Sequence, residues 1–227
     1  MKLVLWDIDH TLIATRGVGR EIFGDAFEQV TGTLMREQAT VDGMTEPVIF
    51  RRTAELHGIT SDRTMFEAFA QRSAELHHQR AHDLRERGHA LPGAAAALAA
   101  LAGIDGVVQS VVTGNIRAVA ETKLQVFGLD THIRFPYGGY GEDHDDRGEL
   151  VRTAMTRTGT AAGKNVNAAD VLLIGDTPAD VAAGIAAGVT VLGVATGRTN
   201  RADLERAGAT ATVLSLQDLQ PLLLLVR

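Results

Sequence analysis

The sequence predicts an α/β protein with a Rossmann-like parallel sheet core and an inserted all-helical domain. From residue 92 onward, short apolar runs alternate with segments of helical periodicity, a rhythm typical of βαβ units on a parallel sheet. An apolar run at residues 3–6 adds one strand ahead of a long helical stretch. We therefore predict a core domain of residues 1–14 and 89–227, with a helical cap domain at residues 15–88.

Three helices are predicted in the cap domain. The first covers residues 20–30. The second opens with Thr45 as its N-cap and ends at Gly58. The third is predicted to run unbroken from residue 61 or 62 to residue 87. An insertion placed directly after the first strand would lie above the carboxyl edge of the sheet, where ligands of such sheets bind.

The remaining elements alternate along the second half of the chain. Strands are predicted at 107–112, 132–135, 171–174, 189–194 and 212–214. Helices are predicted at 92–102, 116–127, 147–157, 178–187 and 202–207, with a terminal helix from about 215. The 132–135 strand has the weakest pattern of the set.

Composition restricts the classes of function. The chain has 227 residues, a net charge of −6 and no cysteine, which excludes disulfides, thiolate metal sites and a cysteine nucleophile. A chain with net negative charge lacks the excess of basic residues that is typical of proteins that bind nucleic acid or an anionic membrane. With no signal-peptide pattern and no apolar run long enough to span a bilayer, we expect a cytoplasmic protein.

Acidic side chains follow the first strand. Asp7 and Asp9 are two residues apart, so on a continued strand they would point to the same side. Two carboxylates this close repel each other unless a cation or a shared proton intervenes. Mg²⁺, a hard cation that prefers oxygen ligands, is the predicted counter-ion.

Two later strands also end in polar residues. Thr113, Gly114 and Asn115 follow the 107–112 strand and precede a helix, where free backbone N–H groups form an anion site. Asp176 follows the 171–174 strand, with Asp180 about one helical turn further on. Because parallel strands end at one edge, these residues are predicted to converge on Asp7 and Asp9.

These three segments resemble the motifs of the haloacid dehalogenase (HAD) superfamily. The matching stretches are D-I-D-H-T at 7–11, V-V-T-G-N at 111–115 and G-D-T-P-A-D at 175–180. They occur in the family's order, and the closest resemblance is to phosphoglycolate-phosphatase-like members with a helical, C1-type cap. One departure is His10, where many members carry glycine.

The resemblance implies a Mg²⁺-dependent phosphatase acting through an aspartyl-phosphate. Asp7 would be the nucleophile, and Asp9 would be general acid and then general base. The metal would be held by the carboxylates of Asp7 and Asp176 and by the backbone carbonyl of Asp9, with Asp180 binding through water. The substrate would be a small phosphorylated metabolite. The protein would be a monomer or a homodimer, and it would bind neither nucleic acid nor a membrane.

The same resemblance assigns a phosphate-binding set. Thr113, the Gly114 N–H group and Asn115 would bind phosphoryl oxygens, with Thr113 also counted among the catalytic residues. Thr11 would support the loop after the first strand. The donors and the cation would together stabilise the charge of an in-line transition state.

The family also uses a lysine or arginine beside the nucleophile, and two residues compete for that role. Arg147 opens the helix after the 132–135 strand, whereas Lys123 lies eight residues beyond Asn115 on one helix. At 1.5 Å per residue this is about 12 Å, a long reach for a side chain. We therefore favour Arg147 over Lys123.

Substrate specificity would come from the cap domain. Met44 and Thr45 stand where related caps often carry a G-K-T-D-like loop, and Met44 replaces the lysine. Arg16, Arg51 or Arg52 could supply a cation instead. The histidines of the third cap helix are expected on an exposed polar face; they are His77, His78 and His82.

Three other functions are alternatives to a phosphatase. A catalytically idle scaffold that binds phosphate is disfavoured because every chemical role has a candidate residue. A phosphomutase would use the same core with a cap that retains a bisphosphate intermediate. A phospho-accepting signalling module also uses clustered aspartates with Thr and Lys, but the helical insertion and the Asp176/Asp180 pair disfavour it.

Overall fold

The computed structural model describes residues 1–226. The strands within this range are β1 (Lys2–Trp6), β2 (Ile13–Ala14), β3 (His89–Ala90), β4 (Val107–Val111), β5 (Val171–Gly175), β6 (Thr190–Val194) and β7 (Ala211–Val213). Five of them form one parallel sheet in the order β4-β1-β5-β6-β7, so β1 lies inside the sheet between β4 and β5. The predicted α/β fold with a parallel sheet is confirmed.

Helices cover most of the remaining chain. Those of the insertion are α1 (Val18–Thr31), α2 (Glu46–Leu56), α3 (Arg63–Gln79) and α4 (Ala81–Arg87). Those of the second half are α5 (Ala94–Ala102), α6 (Arg117–Val126), α7 (Arg147–Ala162), α8 (Pro178–Ala187), α9 (Arg201–Ala207) and α10 (Gln220–Val226). In the part of the chain that the structure describes, no helix is both long and apolar enough to cross a membrane.

The side chains of β1 point alternately to the two faces of the sheet and contribute to the hydrophobic core on each face. Val4 and Trp6 belong to the hydrophobic cluster on one face, whereas Leu3 and Leu5 belong to the cluster on the other. All four side chains are fully buried, as expected for a strand covered by helices on both faces. Asp7 therefore directly follows a strand that is buried on both faces.

A short antiparallel ribbon connects the two ends of the helical insertion. Strand β2 pairs with β3 through Ile13 opposite Ala90 and Ala14 opposite His89. The ribbon brings together the two segments where the chain leaves and re-enters the core. The predicted domain boundaries at 14/15 and 88/89 stay a prediction, and the last residue of the predicted core, Arg227, lies outside the described residues.

The helical insertion has a hydrophobic cluster of its own. Phe69 lies at its centre, with its ring centroid 4.7 Å from that of Phe23 and 4.6 Å from that of Phe50. These rings come from α1, α2 and α3, and all three are buried. Tilted aromatic contacts of this kind add to the burial of apolar area, so the helices pack as a unit.

The predicted helix from 61 or 62 to 87 is wrong as one element, because it is broken at Arg80. The Arg80 guanidinium forms ion pairs with Glu21 and Asp25 of α1 and with Asp83 of α4, at 2.9, 2.8 and 2.7 Å. A break at this position lets α4 follow the surface of α1. Such tertiary contacts override helical periodicity, which carries no information about them.

Two further predictions at the element level differ from the structure. Residues 132–135 are not a strand; the chain turns and enters a 3₁₀-helix, Phe135–Tyr137, that contains Pro136, which has no N–H to donate to a sheet. The terminal helix begins at Gln220 rather than near 215, because Ser215 Oγ accepts a turn hydrogen bond from the N–H of Gln217.

Candidate active site

The predicted polar residues meet at the carboxyl edge of the sheet. Asp7 directly follows β1, Asp176 follows β5, and Thr113 lies two residues beyond β4. These strands are neighbours in the sheet, so residues far apart in sequence are brought together. The convergence that the sequence predicted is what the topology produces.

Asp7 and Arg147 form the centre of the site. Arg147 Nη2 donates to Asp7 Oδ1 at 3.0 Å and also to Asp180 Oδ1. The side chains of Asp7 and Arg147 are each only 9% exposed. Arg147 is fixed at the start of α7 because Asp146 caps this helix, accepting from the N–H of Gly148 at 2.7 Å. One buried cation thus contacts two buried carboxylates.

Asp7, Asp176 and Asp180 form a buried acidic cluster. One oxygen of each lies within 4.8 Å of the others. Burial and the neighbouring charge of Asp180 raise the pKa of Asp7 to about 7, and burial with the charge of Asp7 raises the pKa of Asp176 to about 8. Three carboxylates beside one arginine leave negative charge uncompensated, so the donor set fits a divalent cation such as Mg²⁺.

Thr11 and Gly197 hold Asp176 in place. Thr11 Oγ1 lies 3.1 Å from Asp176 Oδ1 and 3.3 Å from Asp7 Oδ2, so one hydroxyl bridges two acids. A Cβ at Gly197 would lie 1.8 Å from Asp176 Oδ2, hence only glycine fits there. The sequence analysis missed Gly197, because a glycine in a loop gives no signal for a close approach.

Asp180 is bonded through both carboxylate oxygens, and its predicted role of binding the metal through water stays a prediction. Its Oδ1 accepts from Arg147, and its Oδ2 accepts from Thr177 Oγ1 at 2.7 Å and from the Thr177 N–H at 3.0 Å. It closes a capping box at the start of α8. Asp180 therefore lies in the same cluster as Asp176, with both oxygens already bonded.

Asp9 belongs to a second group of polar residues. Lys123 Nζ donates to both Asp9 oxygens, at 2.9 and 2.7 Å, and to Asn115 Oδ1 at 2.8 Å. Asn115 Nδ2 also donates to Asp9 Oδ2 at 2.8 Å. Asp7 and Asp9 are thus held by different cations, because β1 ends at Trp6 and Asp9 instead bridges to Ile13.

The Lys123 side chain reaches the site, although its distance along the helix predicted that it would not. Helix α6 begins at Arg117, so Lys123 lies only in its second turn, and side chains lean toward the helix N-terminus. Lys123 is 6% exposed and in contact with Asp9. Lys123 and Arg147 are therefore both in the site, one beside each aspartate.

The phosphate-binding segment is a tight loop. Thr113 Oγ1 accepts from the N–H of Asn115 at 3.2 Å and from its Nδ2 at 2.8 Å. Gly114 lies so close to the cap that a Cβ there would meet the Met44 carbonyl oxygen at 2.2 Å. Thr113, Gly114 and Asn115 are where the sequence predicted, and their binding role stays a prediction.

The helical insertion lies directly over this loop. The N–H of Glu46 donates to the Gly114 carbonyl at 2.8 Å, and Glu46 Oε2 accepts from the N–H of Ile116 at 3.0 Å. Met44 and Thr45 precede Glu46, so both predicted cap residues lie at the contact between insertion and core. Arg51 is exposed and paired with Asp145 at 2.9 Å.

The structure adds two cap residues that the sequence analysis did not assign to the site. Glu46, 7% exposed, accepts from Ser73 Oγ at 3.3 Å, and Ser73 is completely buried. His77, one turn further on α3, is 3% exposed, so its predicted place on an exposed face is wrong; His78 and His82 are exposed as predicted. The spacing of Ser73 and His77 with Leu76 on one face was the available signal.

His10 has backbone strain that explains the usual glycine at this position. Its φ is +64°, in the left-handed region where residues with a Cβ are disfavoured. The turn is held by the His10 N–H, which donates to the Ile13 carbonyl at 2.7 Å, and by Thr196 Oγ1, which donates to the His10 carbonyl at 2.6 Å.

Solved structures share this fold over nearly the whole chain. A hydrolase from Pseudomonas syringae aligns over 98% of both chains with TM-score 0.69 at 19% identity. A predicted phosphoglycolate phosphatase from Haemophilus somnus 129pt aligns over 98% of both chains, with TM-score 0.65 at 16% identity. A candidate beta-phosphoglucomutase from Thermotoga maritima aligns over 100% of both, with TM-score 0.62 at 19% identity. At these identities the likeness concerns the fold.

The family assignment comes from the sequence itself. No curated protein matches the chain. The family model for haloacid dehalogenase-like hydrolases matches residues 4–194, which include every predicted catalytic and metal-binding residue. The prediction of this superfamily is thereby confirmed: the chain belongs to the haloacid dehalogenase-like hydrolases.

Proposed function

We propose that this hydrolase is a Mg²⁺-dependent phosphatase that cleaves a small phosphomonoester through an aspartyl-phosphate. The observation that carries the proposal is the position of Asp7. It lies at the end of a central strand, 3.0 Å from a buried arginine and within an acidic cluster, with Asp9 two residues further on. An attacking carboxylate, a cation and a second acid are thus available at one point.

Asp7 is the proposed nucleophile. One of its oxygens attacks phosphorus, a new P–O bond forms, and the bond from phosphorus to the leaving oxygen breaks. Arg147 and Thr11 hold the carboxylate in one orientation through contacts to different oxygens. This fixed orientation favours the in-line geometry that phosphoryl transfer requires.

Asp9 is the proposed proton donor to the leaving oxygen, and afterwards the base toward water. Although burial pushes its pKa up, the adjacent Lys123 and the hydrogen bonds to Lys123 and Asn115 outweigh burial and lower the pKa. A bound phosphate would compete for Lys123. Losing that partner raises the pKa of Asp9, so substrate binding would make Asp9 a better acid.

The metal would be held by Asp7 and Asp176, with Asp180 beside them. Mg²⁺ in this position supplies charge stabilisation for the phosphoryl oxygens. The protein's own contribution is to keep the carboxylates together by burial, Thr11 and the close contact at Gly197. One oxygen of each acid lies within 4.8 Å of the others, a spacing that suits a shared cation.

The insertion would act as a lid. It contacts the phosphate loop through Glu46 and Gly114, and both of its ends enter the β2–β3 ribbon. Closure would exclude water other than the attacking molecule from the aspartyl-phosphate. Opening would be needed for the substrate to reach Asp7.

A phosphomutase is the second candidate. Its support is the close contact between cap and core at Gly114, which would retain an intermediate, and the likeness in fold to the candidate beta-phosphoglucomutase. The two functions differ in product. A phosphatase releases inorganic phosphate, whereas a mutase returns an isomeric phosphate ester.

The test is hydrolysis of p-nitrophenyl phosphate by the purified full chain, with Mg²⁺ and then with excess EDTA. We expect release of p-nitrophenol and inorganic phosphate that stops with EDTA and returns with Mg²⁺. Asp7→Asn should abolish both products. No release by the wild-type protein with Mg²⁺, or release by Asp7→Asn at the wild-type rate, would contradict the proposal.

A further inference from the structure

A buried polar layer lies on the face of the cap that meets the core. Its members are Thr45, Glu46, Ser73 and His77, each between 0% and 7% exposed. Glu46 contacts Gly114 and Ile116, the residues on either side of Asn115. Asn115 in turn holds Asp9. The polar layer is therefore one residue removed from the group proposed to protonate the leaving oxygen.

Two atoms of the polar layer have unused hydrogen-bonding capacity. Among the residues that the structure describes, Thr45 Oγ1 and His77 Nε2 are buried and have no hydrogen-bond partner. Leaving such groups unpaired in a protein interior costs about 1–3 kcal/mol each. Buried polar atoms in folded proteins nearly always have a partner, and a ligand group that donates to Thr45 Oγ1 and His77 Nε2 would supply it.

The chemistry of His77 fixes which kind of ligand group it takes. Its Nδ1 lies 2.8 Å from the carbonyl oxygen of Ser73, an acceptor, so Nδ1 carries the proton and Nε2 offers a lone pair. Burial and the nearby charge of Lys123 lower the pKa of His77 to about 4, so the ring is neutral at pH 7. Nε2 therefore requires a donor, such as a hydroxyl group.

Within residues 1–226, no lysine or arginine side chain is hydrogen-bonded to a member of this layer. The exposed Arg52 has its Nη1 3.3 Å from Met44 Sδ, and the exposed Arg51 is paired with Asp145. Lys123 and Arg147 are each bonded to carboxylates of the core. Glu46 adds an acidic side chain, which disfavours a carboxylate in the same place.

We propose that the leaving group is uncharged and hydroxyl-bearing, and that Thr45 Oγ1 and His77 Nε2 bind its hydroxyl groups. This inference rests on the proposed phosphatase function and names its substrate class: phosphate esters of polyols or sugars, not phosphorylated carboxylic acids. His77 becomes a residue that determines specificity, and the buried carboxyl of Glu46 in the same layer disfavours a substrate carboxylate.

The test compares three phosphate esters on a three-carbon skeleton. Glycerol 3-phosphate carries hydroxyl groups, n-propyl phosphate lacks them, and 3-phosphoglycerate adds a carboxylate. For the wild-type protein with Mg²⁺, we expect kcat/KM for glycerol 3-phosphate to exceed that for each of the others by about tenfold or more, as for a site that hydrogen-bonds a substrate hydroxyl.

Variants at His77 separate specificity from structure. His77→Phe should reduce the ratio of kcat/KM between glycerol 3-phosphate and n-propyl phosphate by about tenfold. His77→Gln, which keeps an acceptor near the Nε2 position, should retain most of that ratio. His78→Phe is the matched control, because His78 is the exposed neighbour on α3, and it should leave the ratio as in the wild type. Met44→Lys should raise kcat/KM for 3-phosphoglycerate.

The outcomes separate failure of the inference from failure of the proposed function. If p-nitrophenyl phosphate is hydrolysed but the wild type shows no preference for glycerol 3-phosphate, the inference is overturned. It is also overturned if His77→Phe slows all three esters equally, since that result indicates a structural role only. If p-nitrophenyl phosphate is not hydrolysed at all, the proposed function fails and this inference fails with it.

Discussion

Asp9 is held by Lys123 and Asn115, and this arrangement predicts what its removal does. Asp9→Asn keeps the shape of the side chain but cannot transfer the proton. A good leaving group such as p-nitrophenolate needs little protonation, so Asp7 should still be phosphorylated. The base toward water is lost, so turnover should then slow by about 10²–10⁴-fold.

The measurement for Asp9→Asn is the time course of p-nitrophenol release at high enzyme concentration. We expect a burst of about one equivalent per protein, followed by a slow phase. With glycerol 3-phosphate, whose leaving group is poor, quenched samples of this variant should show no burst of free glycerol. A wild-type steady-state rate in Asp9→Asn would refute the assignment of Asp9 as acid and base.

His77 predicts a pH dependence of stability. Its folded-state pKa is about 4, below the ordinary value of 6.5. Between these values the unfolded state binds more protons than the folded state, so stability is highest above pH 6.5 and falls as the pH drops toward 4. At about 1.4 kcal/mol per pKa unit the loss is about 3 kcal/mol at most.

This contribution is measured by urea unfolding in EDTA at several pH values between 7 and 4. Subtracting the curve of His77→Phe from that of the wild type removes the titration of the acids common to both. The difference should shrink steadily as the pH is lowered below 6.5. A difference that does not change with pH would contradict a buried, neutral His77.

At the residue scale, the sequence predicted positions better than hydrogen-bond partners. Motif spacing located Asp7, Asp9 and Asp176 at one edge of the sheet, because strand ends in a parallel sheet converge; their catalytic roles stay predictions. The distance along the helix predicted that Lys123 could not reach the site. This prediction failed because the helix begins later than expected and the side chain leans toward the helix N-terminus. Nothing in the sequence indicated that Gly197 contacts Asp176.

Helix α8 links the acidic cluster, the proposed metal site, to secondary structure. Asp180 both caps α8 through Thr177 and pairs with Arg147, whereas Asp176 makes a single side-chain contact to Thr11. Asp180→Ala should therefore destabilise the fold by about 1–3 kcal/mol through loss of the cap and an unpaired arginine. Asp176→Ala should chiefly weaken Mg²⁺ activation.

Two measurements separate these effects: thermal unfolding in EDTA and the Mg²⁺ concentration that gives half-maximal activity. We expect the larger loss of unfolding temperature for Asp180→Ala and the larger rise in half-maximal Mg²⁺ for Asp176→Ala. Thr177→Val is a control that removes part of the cap and leaves both acids in place. Equal Mg²⁺ dependence of the two alanine variants would contradict the division of roles.

At the element scale, periodicity and capping signals located the elements of the core well. Helix α8 begins at Pro178 and ends at Ala187, as the Pro and Gly positions predicted. The break at Arg80 could not be predicted, because it depends on acidic partners on α1 and α4. The short β2–β3 ribbon was missed because two-residue strands carry no periodicity.

The contact between cap and core should control how readily the cap separates from the core. Glu46 joins them through its N–H to Gly114 and its carboxylate to the Ile116 N–H. Burial raises the pKa of this carboxyl. Glu46→Ala removes the second of these bonds and leaves the Ile116 N–H without an acceptor. The equilibrium between closed and open states should shift toward the open state by about 1–3 kcal/mol, which is roughly a 5–150-fold change in the equilibrium constant.

Amide hydrogen exchange at residue 46 measures this opening, because its N–H keeps its bond to the Gly114 carbonyl in the variant. We expect faster exchange of this amide by about that factor in Glu46→Ala. The control is Glu55→Ala, an exposed position on the same helix, in which the amide of residue 46 should exchange like the wild type. Unchanged protection of the residue 46 amide in Glu46→Ala would show that the Glu46 side chain does not hold the cap closed.

At the scale of the whole molecule, the order of motifs predicted the fold class and the position of the insertion over the active edge. The sequence could not predict how closely the insertion packs, because the contact depends on main-chain groups of Gly114 and Met44. The buried state of Glu46 and His77 follows from that packing. The proposal on substrate class depends on this packing, so the sequence alone did not lead to it.

The central claim, that Asp7 carries the phosphoryl group, is tested most directly by trapping the intermediate. The protein would be mixed with a ³²P-labelled phosphomonoester and Mg²⁺, quenched in acid and digested. We expect hydroxylamine-sensitive label on the peptide that contains Asp7, and none in Asp7→Asn. Turnover without label on that peptide, or label and turnover in Asp7→Asn within about tenfold of the wild type, would contradict the account.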